Sequence, residues 1–308
     1  MPGQVVKNPA QQNIAALVQE IGAQNPLQQQ FVRNSAAGLD GEERDWFGAY
    51  LDYCLATGQS LASLAACYNL LVKDTMREQM YFQRHGRYRC STYSEVSDAV
   101  YQNPEYMEQY MAGLALTAFL WPNHRKMRKS FLRKLPRERG GHYLEVGPGH
   151  GFHMMSAMRL SAYETFTGVD ISPKSVEMTR SIIESGFFGR WENYELVCQD
   201  FLECEAPPGK YGALVAGEVL EHVEQPLAFL RKLHELAAPD AFIYVTTAVN
   251  AAEIDHIYLF DSVGPVRRMT EEAGLRIEDE EGFPYTGLSL EECEGRRLPV
   301  NLALVLGT

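Results

Sequence analysis

The 308-residue chain has no apolar run long enough to cross a bilayer. Its longest, Ala112–Trp121, covers ten residues and is interrupted by Gly113 and Thr117, about half of what a span needs. The opening MPGQVVKNPAQQN has neither the basic stretch nor the apolar core of a secretory signal. Cysteine is sparse: Cys54, Cys67, Cys90, Cys198, Cys204 and Cys293 form no C-x-x-C pair, which suits reduced cytoplasmic thiols better than a disulfide framework. Cations are in deficit, with 28 Lys and Arg against 40 Asp and Glu. Proteins that hold nucleic acid usually carry a basic face, so a nucleic-acid partner is disfavoured. The one concentrated basic stretch, His124–Arg139, reads as a helix with a solvated cationic face. These absences lead to the expectation of a soluble, cytoplasmic protein with no membrane partner. Hydrophobic residues at 45% and charged residues at 22% exclude wholesale disorder.

Up to about residue 135 the apolar spacing is helical, as in Ile14/Leu17/Val18/Ile21, Trp46/Tyr50/Tyr53/Cys54 and Leu61/Leu64/Ala65. After Pro136 and Gly140-Gly141, short β-rich runs alternate with helical stretches. The runs are His142–Val146, Phe166–Ile171, Glu195–Cys198, Ala213–Ala216, Phe242–Thr246, Leu275–Glu278 and Asn301–Leu306. Helices are expected near Met154–Ser161, Lys174–Ser185, Pro226–Leu236 and Ser262–Ala273. Such alternation predicts an α/β fold with a doubly wound, parallel sheet, whose ligands sit at the carboxyl ends of the strands. The expected organisation is a helical domain over 1–135, serving as substrate or lid domain and as a surface for homo-oligomer formation. A nucleotide-type domain would follow over 136–308.

The first strand runs into Glu145-Val146-Gly147-Pro148-Gly149-His150-Gly151. Glycines let the backbone approach a ligand and turn without a Cβ clash. The third glycine comes one residue early for a dinucleotide fingerprint, with Phe152 in its place, and no Lys-Ser pair follows for a P-loop. An acid before G-x-G-x-G resembles the first motif of class I S-adenosylmethionine (SAM)-dependent methyltransferases. Asp170 closes the second strand nineteen residues after Gly151, Asp200-Phe201 closes the third, and Glu218 follows the fourth, in that family's order and spacing over 140–308. The resemblance implies a Rossmann-like sheet of seven strands, the last antiparallel, and SAM as cofactor. It also implies cofactor contacts from Glu145, Gly147, Gly149, Gly151, Asp170 with Ile171, Asp200, Phe201 and Glu218. On the residues alone, Asp170 equally reads as a cap for the helix at Ser172-Pro173. Tyr110 and Met111, on a helix before the sheet, match cofactor-covering helices of small-molecule methyltransferases and equally match ordinary core.

The sharpest local feature is Glu218-Val219-Leu220-Glu221-His222-Val223. In a helical turn, positions i, i+3 and i+4 share a face. His256, in the loop after the fifth strand, is expected to reach the same space. Glu218, Glu221, His222 and His256 together make a metal-ligand set suited to Fe, Mn, Co or Zn, and less to Mg. E-x-x-E-H resembles the ubiquinone-synthesis O-methyltransferases and, with the downstream histidine, the small-RNA 2′-O-methyltransferases. Asp255-His256-Ile-Tyr-Leu-Phe resembles metal-holding C-methyltransferases of 2-oxo acids. The plain alternative pairs Glu221 with His222 or the backbone, makes His256 a core histidine, and leaves a histidine as general base. Catalysis is therefore assigned to Glu221, His222 and His256. The leading expectation is metal-assisted C-methylation of a 2-oxo acid in specialised, natural-product metabolism, followed by O-methylation of a small vicinal diol or phenol. RNA 2′-O-methylation and a non-catalytic SAM-binding module come last.

The segment Tyr81–Arg89 mixes three arginines with three aromatic rings. It reads as an interface or helix end, or as a lid whose Arg84 holds an anionic substrate group. Tyr88, Tyr93, Tyr258 and Tyr285 complete the expected small-molecule pocket.

Overall fold

The computed structural model describes residues 9–285 and 287–308. Helices α1 (Pro9–Gln24), α2 (Gln29–Ala37), α3 (Gly41–Ala56), α4 (Leu61–His85) and α5 (Tyr93–Val96) come first. A π turn at Ser97–Tyr101 leads into α6 (Pro104–Leu120) and α7 (Pro122–Lys134). The starts follow from capping chemistry. Asp40 accepts the Glu43 N–H at 2.9 Å while the Glu43 carboxylate accepts the Asp40 N–H at 2.8 Å, a reciprocal pair that satisfies orphan donors of α3. Asn103 caps α6, with Pro104 in its first turn. Among the described residues, no single helix is long and apolar enough to cross a membrane.

Helix α7 departs from the sequence expectation. Its cationic face is solvated only in part: Arg125, Arg128 and Lys134 are packed, while Lys126, Lys129 and Arg133 keep much of their surface in water. Arg125 makes a two-pronged contact with Glu43 at 2.9 and 2.7 Å. The buried Arg128 lies 4.7 Å over the Trp46 ring, and Lys129 pairs with Asp40 at 2.8 Å. Towards the sheet, Arg133 reaches Glu281 at 2.7 Å and Lys134 pairs with Asp279. The acids that neutralise this face come from the start of α3 and from a distant strand, beyond the reach of any local pattern.

The sheet comprises β1 (His142–Val146), β2 (Thr165–Asp170), β3 (Tyr194–Cys198), β4 (Tyr211–Gly217), β5 (Ala237–Val249), β6 (Arg276–Pro284) and β7 (Val300–Gly307). Between them lie α8 (Phe152–Leu160), α9 (Pro173–Glu184), α10 (Pro226–Leu236), α11 (Val263–Glu272) and α12 (Leu290–Gly295). The order is β3-β2-β1-β4-β5-β7-β6, with β7 antiparallel to both neighbours. All seven strands stand where the sequence predicts them. β5 runs longer at both ends, because Ala237 pairs with Tyr211 and Thr247–Val249 pair with β7. The chain reverses between β1 and β4, so the ligand-binding end lies over their carboxyl termini.

Alternation along the strands sorts the core. Leu144, Val146, Leu214 and Ala216 face α10 and α11. Tyr143, Ala213 and Val215 face a cluster that runs continuously into α1, α3, α4 and α6. Phe152 is its junction, with ring centroids 6.1 Å from Trp46, 5.7 Å from Tyr50, 5.3 Å from Phe119 and 5.8 Å from Phe188. Phe152→Ala should therefore destabilise the whole chain by about 3–5 kcal/mol, read as one shifted urea transition. Two separate transitions, only one of them shifted, would show that the helices and the sheet do not share this core.

Candidate active site

The glycine loop joins β1 to α8. Gly147, Gly149 and Gly151 all have positive φ, at 66°, 53° and 73°, which explains glycine at each. A Cβ at Gly147 would stand 3.0 Å from Val219, and one at Gly151 3.1 Å from Thr179. The space beside Gly149 is bounded by the Met111 methyl of α6, so the helical segment leans over the loop as the sequence suggests for Met111. Asp170 accepts from the Ser172 N–H at 2.9 Å and the Ser175 hydroxyl at 2.6 Å, with its carboxyl raised by burial. It therefore orders the start of α9 from the ligand-binding end of β2. Ile171 beside it is 42% exposed, an apolar face at the strand end. Asp200 accepts the Leu202 N–H at 2.9 Å. Phe201 is buried against Phe229 at 4.6 Å, in the core rather than at the surface. Glu145 is buried on β1 and accepts the Tyr143 hydroxyl at 2.6 Å. Burial pushes its carboxyl up to about 8.

Beyond the switch point, β4 and β5 end side by side, and both exits are strained. Glu218 has φ +53° and Asn250 φ +53°, conformations that non-glycine residues adopt only when their surroundings impose them. The Glu218 N–H donates to the Thr246 carbonyl and hydroxyl, both at 3.0 Å. Its Oε2 accepts from Asn301 of β7 at 2.5 Å. The next residues form a 3-10 turn, Leu220–His222, not the α-helical turn expected. Glu221 is fully buried. Its Oε2 accepts the Thr247 hydroxyl at 2.8 Å, while Oε1 has no partner. Burial, and then the neighbouring Glu218 charge, raise the Glu221 carboxyl well above the usual range.

The Glu221 carbonyl accepts the N–H groups of Ile257 and Tyr258 at 2.9 and 3.0 Å, which brings the loop after β5 back over this turn. His256 then meets His222 with ring centroids 4.7 Å apart at 88°. Each ring has a fixed donor. His256 Nδ1–H donates to the Ala251 carbonyl at 2.6 Å and His222 Nδ1–H to the Asp255 carbonyl at 3.1 Å, so in each ring Nε2 is the nitrogen that the backbone does not engage. Burial holds His256 down to about 3, so it is neutral at pH 7. One ligand atom each from Glu221, His222 and His256 lies within 4.8 Å of the others. Glu218, expected as a fourth, stands outside this group: the positive φ turns it towards β7 and Asn301.

Sequence reasoning did not single out the residue that ties the helices to this site. Asp255 accepts Tyr101 on Oδ2 and Tyr110 on Oδ1, both at 3.2 Å, and Tyr101 also lies 3.3 Å from His222 Nδ1. The acid–histidine pair was visible, but nothing local connects Asp255 to tyrosines some 150 residues away. Tyr110 thus reaches the site through Asp255, and Tyr93 stacks on Tyr101 at 5.6 Å. Tyr88 lies 5.9 Å from the His256 ring, and Tyr258 packs on Phe260 at 4.8 Å. Arg84 is exposed in the last turn of α4, and in that region the guanidinium pairs belong to Arg77 and Arg89, both on Glu78. Tyr285 is 56% exposed on the loop after β6, two strands from β5. Neither joins the cluster among the described contacts.

A doubly wound sheet of this order, with a glycine-rich β1–α8 turn and acids ending β2, β3 and β4, defines a class I SAM-dependent methyltransferase. Residues 121–293 match the methyltransferase domain family, and the chain belongs to it. A ubiquinone biosynthesis O-methyltransferase of Nitrosospira multiformis is 27% identical over 195 residues, 57% of this chain and 79% of that protein. Its counterpart from Thiobacillus denitrificans is 29% identical over 171 residues, 49% of this chain and 71% of that one. The mitomycin 7-O-methyltransferase MmcR shares the fold, with a TM-score of 0.52 at 13% identity over 80% of this chain and 70% of that chain.

The Glu145 carboxyl yields a pH prediction. It stays protonated in the fold up to about pH 8, but ionises near 4.5 in the unfolded chain. Between those values the folded state binds more protons, so stability falls as pH rises, by about 1.4 kcal/mol per pH unit for this group. Urea unfolding at about pH 5, 6 and 7 should show Glu145→Gln removing that part of the slope; an unchanged slope refutes the assignment.

Proposed function

We propose that this methyltransferase transfers the methyl group of SAM to a small acceptor with two adjacent oxygens, assisted by a divalent cation at Glu221, His222 and His256. The observation that carries this reading is one buried carboxylate with an unpartnered oxygen grouped with two imidazoles. Each imidazole has its Nδ1–H tied to a backbone carbonyl, the outer support usual for metal-binding histidines. The donor set suits Fe, Mn, Co or Zn. When bound, such an ion supplies Lewis-acid polarisation of the acceptor oxygens.

The chain supplies alignment. The glycine loop leaves room for the cofactor's methionine end beneath Met111, Asp170 has acceptor capacity for ribose hydroxyls, and Ile171 offers an apolar face for adenine. Tyr101 and Tyr110, drawn onto Asp255, keep water from the reacting atoms, so that in-line transfer depends on positioning.

Oxygen is the favoured acceptor atom. The charged groups acting most strongly on Glu218 and Glu221 are carboxylates and His222, with no lysine or arginine among them, so this lining suits a neutral diol or phenol. The similarity to proteins named as O-methyltransferases points the same way. Carbon methylation of a 2-oxo acid is the second reading. It is supported by the Asp255–Phe260 stretch, which does carry His256 into the cluster. RNA is disfavoured further, because the cations of α7 are neutralised internally.

Metal content by mass spectrometry on chelator-free protein tests the site. Near-stoichiometric metal, lost in Glu221→Ala/His222→Ala together with at least about 100-fold of activity, is expected. Metal-free wild type with full activity would refute it and leave His222 as general base. With methyl-labelled SAM, label on oxygen of a vicinal diol supports the first acceptor and label on carbon of a 2-oxo acid the second.

A further inference from the structure

The hydroxyl of Tyr88 is buried; the Ala251 backbone N–H is directed at its oxygen, and its own hydrogen finds no acceptor in the protein. α4 ends at Gly86 with φ +67°, and that reversal brings Tyr88 back beneath the helix it follows. The ring packs on Phe82 at 5.6 Å and in a cluster with Ala252 and Leu259, and is only 5% exposed. A buried hydroxyl hydrogen left without an acceptor costs about 1–3 kcal/mol, so its persistence calls for an acceptor that binds. The ring stands beside the site, its centroid 5.9 Å from that of His256. Burial and the carboxylates of Glu221, Glu253 and Glu218 raise its pKa, so the phenol keeps its proton and serves as a donor.

With a cation held by Glu221, His222 and His256, the grouped atoms are all acceptors: the unpartnered Glu221 Oε1 and one nitrogen of each imidazole. A cation answers those acceptors; Tyr88 is left to answer the acceptor molecule. We infer that Tyr88 donates its phenolic hydrogen bond to an oxygen of the methyl acceptor, and so selects acceptors with a hydrogen-bond-accepting oxygen beside the reacting atom. The inference rests on the reading of a small oxygen-bearing acceptor at this cluster.

Tyr88→Phe tests it, because the ring and its packing are kept. Catechol and 2-oxobutyrate serve as probes, titrated by calorimetry into the full-length protein saturated with S-adenosylhomocysteine, with metal content measured alongside. The expected result is about tenfold weaker binding of whichever probe the wild type takes, equivalent to about 1.4 kcal/mol. Metal content and S-adenosylhomocysteine affinity should stay at wild-type values. In turnover, kcat/KM for the acceptor should fall while KM for SAM does not move. Unchanged probe affinity and kcat/KM would overturn the inference. So would loss of metal and cofactor binding along with the probe, which would make Tyr88 merely structural. Metal absent from both proteins, with the probe still held more weakly by Tyr88→Phe, would refute the metal and leave Tyr88 as the donor.

Discussion

Two carboxylates, Glu218 and Glu221, are carried below the surface where β4 ends, and no lysine or arginine stands among the groups that act on them most strongly. A buried acid in that position must hold a proton or meet a cation, because an isolated buried charge is prohibitively costly. The neighbouring groups work within that constraint. Thr247 and Asn301 each satisfy one carboxylate oxygen, and two imidazoles approach rather than a lysine or arginine.

The helices before the sheet act on the site through the loop that carries His256. Gln79 of α4 accepts the Ala252 N–H at 3.0 Å and donates to the Asn250 carbonyl at 3.3 Å. Thr75 donates to Glu253 at 2.7 Å, and Tyr101 and Tyr110 both reach Asp255. A loop with few backbone bonds of its own is thereby held by side chains of α4, α6 and the π turn. The position of His256 is set as much by residues 75–110 as by β5.

The same division governs charge. The net charge of −12 is distributed so that the one basic helix spends its cations on α3 and β6. Those pairs fasten the helical layer across the sheet edge.

The strand positions, the glycine loop and the chemical character of the E-x-x-E-H cluster were legible in the sequence. Each depends on local rules: period-two and helical spacing, glycine at positive φ, and an acid at a strand end. The meeting of His222 with His256 was legible as well, because β4 and β5 are neighbours in this fold class. What only the tertiary structure decided involves partners distant in the chain. Asn301 and the strained φ of Glu218 separate that acid from the other ligands. Asp255 becomes a junction because tyrosines from the helical segment reach it, Arg84 is left in solvent, and Phe201 is drawn into the core by Phe229. Local sequence dictates backbone conformation and residue type, but which buried polar atoms find partners, and which are left for a ligand, depends on contacts that no local pattern encodes.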